Sequence, residues 1–169
     1  MTVHADRLER GAAAVAVTAL AIWIGGLVAL GACAAPIVFR VVPAPLSGDA
    51  MGAVFRRFDA IAVACSVFVL GCEAIRIWVR DPPATAFERA RTALSLLAAA
   101  AAIYGAVRLS PGIIALHQAG AVRGSGADGT ELERLHKLAE AAAQVEVMAG
   151  LFLLVLQVTT LQRAKEKPT

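Results

Sequence analysis

Charge is what this sequence has least of. Only 17% of its 169 residues are Asp, Glu, Lys or Arg, against 59% hydrophobic, where a soluble domain carries about a quarter charged. Residues 11–39 run for 29 positions without one charged side chain. No soluble core asks for such a run, whereas one helical bilayer crossing takes about 20 residues. Aromatics are scarce as well, at 5%, so the apolar content is aliphatic. Three cysteines, all inside apolar runs, exclude a disulfide framework and behave as small hydrophobes. There is no nucleophile elbow, phosphate loop, dinucleotide fingerprint or zinc-protease motif, so no enzyme class is indicated. The net charge of +3 comes from arginines scattered over the connections. Without a dense basic block it excludes a nucleic-acid footprint.

What is present reads as four crossings, at about residues 12–35, 60–79, 92–107 and 141–161 of a single integral membrane domain, 1–169. Arg7 and Arg10 precede the first as in a signal peptide, but its apolar run is about twice the length of a signal core, so a retained helix is expected. Pro36 is expected to stop it. Between crossings one and two, Pro43, Pro45 and Gly48 break the chain. Ser47 or Asp49 can then cap an amphipathic helix running to about Asp59, with Met51, Val54, Phe55 and Phe58 on one side. The expected fold is an all-α four-helix transmembrane bundle with this short interfacial helix. Ala13, Val17, Ala21, Gly25, Ala29 and Cys33 form a nearly small-residue ridge in helix one, and Ala98, Ala102 and Ala106 repeat it in helix three. Such ridges let membrane helices approach closely.

Alternating crossings sort the polar residues by end. Arg40, Arg56, Arg57, Asp59, Arg108, His136 and Glu140 converge at one end; Glu73 and Arg76 lie toward the other. Arg76 and Arg80 follow Glu73 at i+3 and i+7, on its face of the helix. An intramembrane carboxylate with a partner is either an ion pair that fixes helix depth or a proton-handling group. The basic side chains divide eight against seven between the two faces, the first count including Arg80, Arg163, Lys165 and Lys167, which favours cytoplasmic termini by one.

His136, Glu140 and Gln144 recur every four residues as a polar stripe. A His and a Glu at that spacing can share a divalent metal, or the Glu can orient the imidazole for haem iron. The structural alternative is a helix that starts in the membrane interface. His117, in a short amphipathic stretch after Pro111, can supply a second axial ligand or be a surface histidine; His4 in the tail carries no signal. Copper thiolates would have to come from Cys33, Cys65 or Cys72, which lack close pairing.

Trp23 with Gly25 and Gly26, then Pro36, Phe39–Arg40, Pro43, Gly48 and "VFRRF" at 54–58, resemble the small membrane family of transmembrane protein 205. Arg108-Leu109-Ser110-Pro111 is similar to that family's Arg-x-x-Pro, and Arg134–His136 to the segment that opens its last helix. The resemblance implies four membrane helices and an undefined molecular activity. It extends distantly to copper-resistance inner-membrane proteins and to a four-helix haem-biosynthesis oxidase, which use membrane histidines. Glu140 and Gln144 stand where the family often has a Gly-x-Ser and an Asn.

Together these readings lead to a non-enzymatic module of a bacterial-type inner membrane, contacting the bilayer, with other membrane proteins or further copies of itself as candidate partners. It would bind a lipid headgroup, small anion or partner through Arg40, Arg57, Arg108, His136 and Glu140. The alternatives are a haem- or copper-binding redox protein using His136 and His117, and a proton-coupled carrier using Glu73.

Overall fold

Proline does not end the first helix. The computed structural model describes residues 3–79 and 83–166, with side chains for 7–79 and 83–160. Arg80 and Lys167, and the side chains of His4, Arg163 and Lys165, lie outside the described residues. Helix α1, Val3–Val28, widens into a π-helical segment, Ala29–Ala34, and resumes as α2, Ala35–Val41, with Pro36 in its first turn. The Ala35 amide donates to the Leu30 carbonyl five residues back. This wider register accommodates the proline ring and its missing N–H without breaking the rod. The same device recurs before Pro111. Helix α4, Ala86–Tyr104, passes through a π segment, Gly105–Leu109, into α5, Ser110–Gln118.

The interfacial helix expected between crossings one and two is not a separate element. Helix α3 runs unbroken from Leu46 to Val79, because Arg56, Arg57 and Asp59 interrupt the apolar pattern but not the helix. Ser47 and Asp49 accordingly lie inside its first turn instead of capping it. Helix α4 does open with a capping box: the Glu88 amide donates to Thr85 Oγ1 at 3.3 Å, and Glu88 Oε2 accepts from the Thr85 amide at 2.8 Å. Helix α6, Gly126–Glu166, is the longest.

Among the described residues four stretches are long and apolar enough to cross a membrane: Arg7–Val41, Leu46–Val79, Ala86–Gln118 and Gly126–Thr160. The shortest has 33 residues, a rise of about 50 Å against a hydrocarbon thickness near 30 Å. The apparent shortness of the third and fourth crossings disappears, since their ends extend well past the uncharged runs. Large apolar side chains, among them Ile22, Phe68, Leu97 and Phe152, face outward, as lipid contact requires.

The helices pack in the cyclic order α1, α3, α4, α6. The core lies between them around Leu20, Trp23, Phe58, Val69, Ala98 and Leu153. The small-residue ridge expected on helix one is not its packing face. Ala13 is buried, but Ala21, Gly25, Ala29 and Cys33 are exposed. Strict four-residue steps drift about 40° each around an α-helix, so the ridge winds off the contact within a few turns. The close approaches are elsewhere: a Cβ on Gly26 would overlap the Phe58 ring, and one on Gly150 would overlap Ile24. In α4, Ala98 and Ala102 are buried and Ala106 is half-buried.

Candidate functional site

Glu73 lies at the centre of a polar cluster built from three helices. Its Oε1 accepts from Arg76 Nη1 at 3.0 Å, Arg91 Nε at 2.8 Å and Gln157 Nε2 at 3.2 Å, while Oε2 accepts from Thr92 Oγ1 at 3.2 Å. Arg76 Nη1 also donates to Gln157 Oε1, and Arg91 Nη1 donates to Thr160 Oγ1 at 3.3 Å. Glu73 and Arg76 come from the last two turns of α3, Arg91 and Thr92 from the second turn of α4, and Gln157 and Thr160 from α6. Gln157 thus joins two helices that face each other across the bundle. Glu73 and Arg76 are each 2% exposed, Arg91 1% and Gln157 not at all. Charges this dry persist in an apolar bundle only when paired and hydrogen-bonded.

The sequence pairing of Glu73 with Arg76 is therefore present, but it is half of the arrangement. Arg91, Thr92, Gln157 and Thr160 went unassigned, although each is a polar residue beside or inside an apolar run, which was the available signal. Trp78, 83% exposed, marks this end as one where an indole faces outward, the position aromatics take at membrane interfaces.

A second buried carboxylate escaped the sequence reading. Glu146, 6% exposed, sits midway along α6, and its Oε2 accepts from Trp23 Nε1 of α1 at 2.8 Å. Among the described residues no cation is paired with it. Asp59 of α3 is within electrostatic range and accepts a hydrogen bond from Ser110 Oγ.

At the other end the structure brings some expected residues together and leaves others apart. Helix α2, carrying Arg40, packs on α3, and the π segment carrying Arg108 packs on α3 and α6. His117 and His136 meet edge to face, with ring centroids 5.8 Å apart and planes at 70°. Arg40, Arg57, Arg108 and Glu140 are exposed, with no hydrogen bond or ion pair among the described residues. By contrast Arg123 and Lys137 pair with Glu133, at 3.6 and 3.2 Å, and Arg134 with Glu131 at 2.6 Å. Glu140 neither shares a group with His136 nor orients it. Among the described residues no three His, Cys, Asp or Glu side chains gather as a metal-ligating set. Cys65 and Cys72 are buried and Cys33 is exposed, all three unpaired. Two imidazoles fall short of the three or four protein ligands that metal sites of defined specificity supply. An exposed His117 in edge contact does not fit an enclosed haem either. The histidine pair is a ring contact that ties α5 to α6.

A family model, Domain of unknown function (DUF4149), matches residues 18–121. The chain belongs to this family. The match covers the helices that carry Glu73, Arg76, Arg91 and Trp23, and ends before α6. No curated protein and no solved structure matches the chain.

Proposed function

We propose that this DUF4149 protein is a non-enzymatic integral membrane module that holds phosphate groups of anionic lipid headgroups at its Arg/His end. The observation that carries this reading is selective pairing. Arg123, Arg134 and Lys137 have acidic partners, whereas Arg40, Arg57 and Arg108 stand exposed without one. Unpaired guanidiniums at a membrane helix end satisfy their donors on phosphate, which they bind through two parallel N–H groups. The proposal includes His136 of α6 as a further donor at this end, through its imidazole. The resemblance to transmembrane protein 205, an inner-membrane location and cytoplasmic termini belong to the same proposal. Impermeant labelling of a cysteine introduced beside Arg40 tests the orientation.

Native mass spectrometry of the purified protein tests the binding. Wild type is expected to retain phosphatidylglycerol over phosphatidylcholine, and Arg40→Gln combined with Arg57→Gln and Arg108→Gln to lose that preference. Equal retention by the triple variant would end this reading.

A second reading has its own observation. Glu146, buried with a neutral indole as its donor, is better placed than the fully ion-paired Glu73 to take up and release a proton. Proton flux in liposomes that Glu146→Gln abolishes would support a proton-coupled carrier.

A further inference from the structure

The hydrogen-bonded Glu73 cluster holds two guanidiniums against one carboxylate, and the further carboxylate, Glu9 of α1, acts on Arg76 only through space. The hydrogen bonds divide unevenly between the two arginines. Arg91 is engaged through Nε and Nη1. Arg76 spends Nη1 on both Glu73 and Gln157, and its Nε and Nη2 are buried with no hydrogen-bond partner. Those two nitrogens are not a random pair. Nε–H and the adjacent Nη2–H form the side-on fork of a guanidinium, whose two parallel donors match two oxygens carried on one atom.

Leaving such a fork dry is costly, since each buried donor without a partner forfeits its hydration, and more so when charged. Among the described residues no internal group meets the need. Glu73 and Gln157 are already on Nη1, Cys72 is a weak partner, and Glu9 of α1 acts on Arg76 through space without hydrogen bonding to it. We infer that the Arg76 fork is an oxyanion-binding site, taking a phosphate-type group with two free oxygens, either the phosphodiester of a lipid or free phosphate. One monoanion there balances the second guanidinium. The position suits such a ligand: Arg76 is in the last turn of α3 and Arg91 in the second turn of α4, near the membrane-facing end marked by Trp78. Gln157 holds Nη1 so that the fork is fixed in direction before the anion arrives. This site is at the opposite end of the bundle from the exposed arginines and does not depend on their reading.

The test is thermal unfolding of the full chain in a neutral detergent. One arm adds sodium phosphate against sodium chloride at matched ionic strength; the other adds phosphatidylglycerol against phosphatidylcholine. Wild type is expected to be stabilised saturably in one arm, which identifies the source. Arg76→Lys keeps the charge but loses the fork, and binding should weaken about tenfold or more. Gln157→Glu places a carboxylate on Nη1 and balances the second guanidinium; it should raise the melting temperature without ligand and abolish the response, which keeps the test decisive where Arg76→Lys fails to fold. Arg134→Gln, which changes an exposed arginine paired with Glu131, should respond as wild type. The inference is overturned if neither arm stabilises wild type, if Gln157→Glu responds fully, or if Arg57→Gln loses the response while Arg76→Lys retains it. The last result would move the anion to the Arg/His end. Glu9→Gln removes a nearby negative charge and is expected to keep or strengthen the response; a response that appears in Glu9→Gln and is absent from wild type would make Glu9 the partner of the fork and also overturn the site.

Discussion

The two ends of this bundle treat the same kind of side chain in opposite ways. At the Glu73 end, Arg76 and Arg91 are sealed between three helices, and a carboxylate, an amide and a hydroxyl answer them. At the other end Arg40, Arg57 and Arg108 are exposed, with no ion pair among the described residues. Sequence alone does not separate them, since each is an arginine at the border of an apolar run. Burial separates them, and it turns the same charge from a surface group with little effect on stability into a group whose removal or isolation is felt by the whole fold.

The sharpest way to break the comparison is Glu73→Gln. It leaves two guanidiniums buried without a counter-charge, so a loss of about 3–5 kcal/mol is expected, read by denaturant titration of the protein in detergent. A loss below 1 kcal/mol would mean that the cluster is hydrated and not the closed unit its burial indicates. Replacing Glu73, Arg76 and Arg91 together by apolar residues of similar volume should cost far less than Glu73→Gln alone, because no charge is then stranded.

Between the ends, packing sets the scale. Gly26→Ala forces the Phe58 ring off its position and should destabilise by about 1–3 kcal/mol. Gly25→Ala, one residue along and facing open space, should be neutral or slightly favourable. If the two variants unfold alike, α1 and α3 do not meet at Gly26.

These contrasts also show how far the sequence was readable. Four crossings were legible because runs such as 11–39 exclude charge, and hydropathy needs no partner to be seen. Their ends were not. Pro36 and Pro111 look like stops, and only a wider turn in the preceding backbone lets the helix continue through them. Glu73 was legible as a carboxylate in an apolar helix, and Arg76 as its neighbour one turn on. Arg91 and Gln157, 18 and 84 residues away in the chain, become partners only through helix packing, which one sequence does not display. Glu146 was hidden for a simpler reason: it sits just before the uncharged run of the last helix, so it reads as part of the polar lead-in.

That hidden carboxylate gives an effect intermediate between the two ends. Trp23→Phe keeps the ring but removes the indole donor, stranding Glu146 in the core. A loss of about 1–3 kcal/mol is expected, and Glu146→Gln in the same background should recover part of it, since a neutral amide is less costly to bury. No recovery would mean that the carboxylate has another donor.

The smallest expected effect belongs to the exposed end, and its smallness is the point. Arg57→Gln and Arg108→Gln each change a side chain that touches no acidic partner, so stability should stay within about 0.5 kcal/mol of wild type. Lipid retention should nevertheless fall stepwise, and the loss should grow as salt is lowered, because screening weakens exposed charge–phosphate attraction at high ionic strength in wild type as well. At the Glu73 end the dependence on sodium chloride should be weak, since buried pairs at contact distance are screened much less than exposed charges. Measuring both variants and Glu73→Gln at low and high salt therefore separates the ends without reference to any ligand. A salt-sensitive Glu73 end, or a salt-insensitive arginine end, would erase the distinction on which both binding proposals rest.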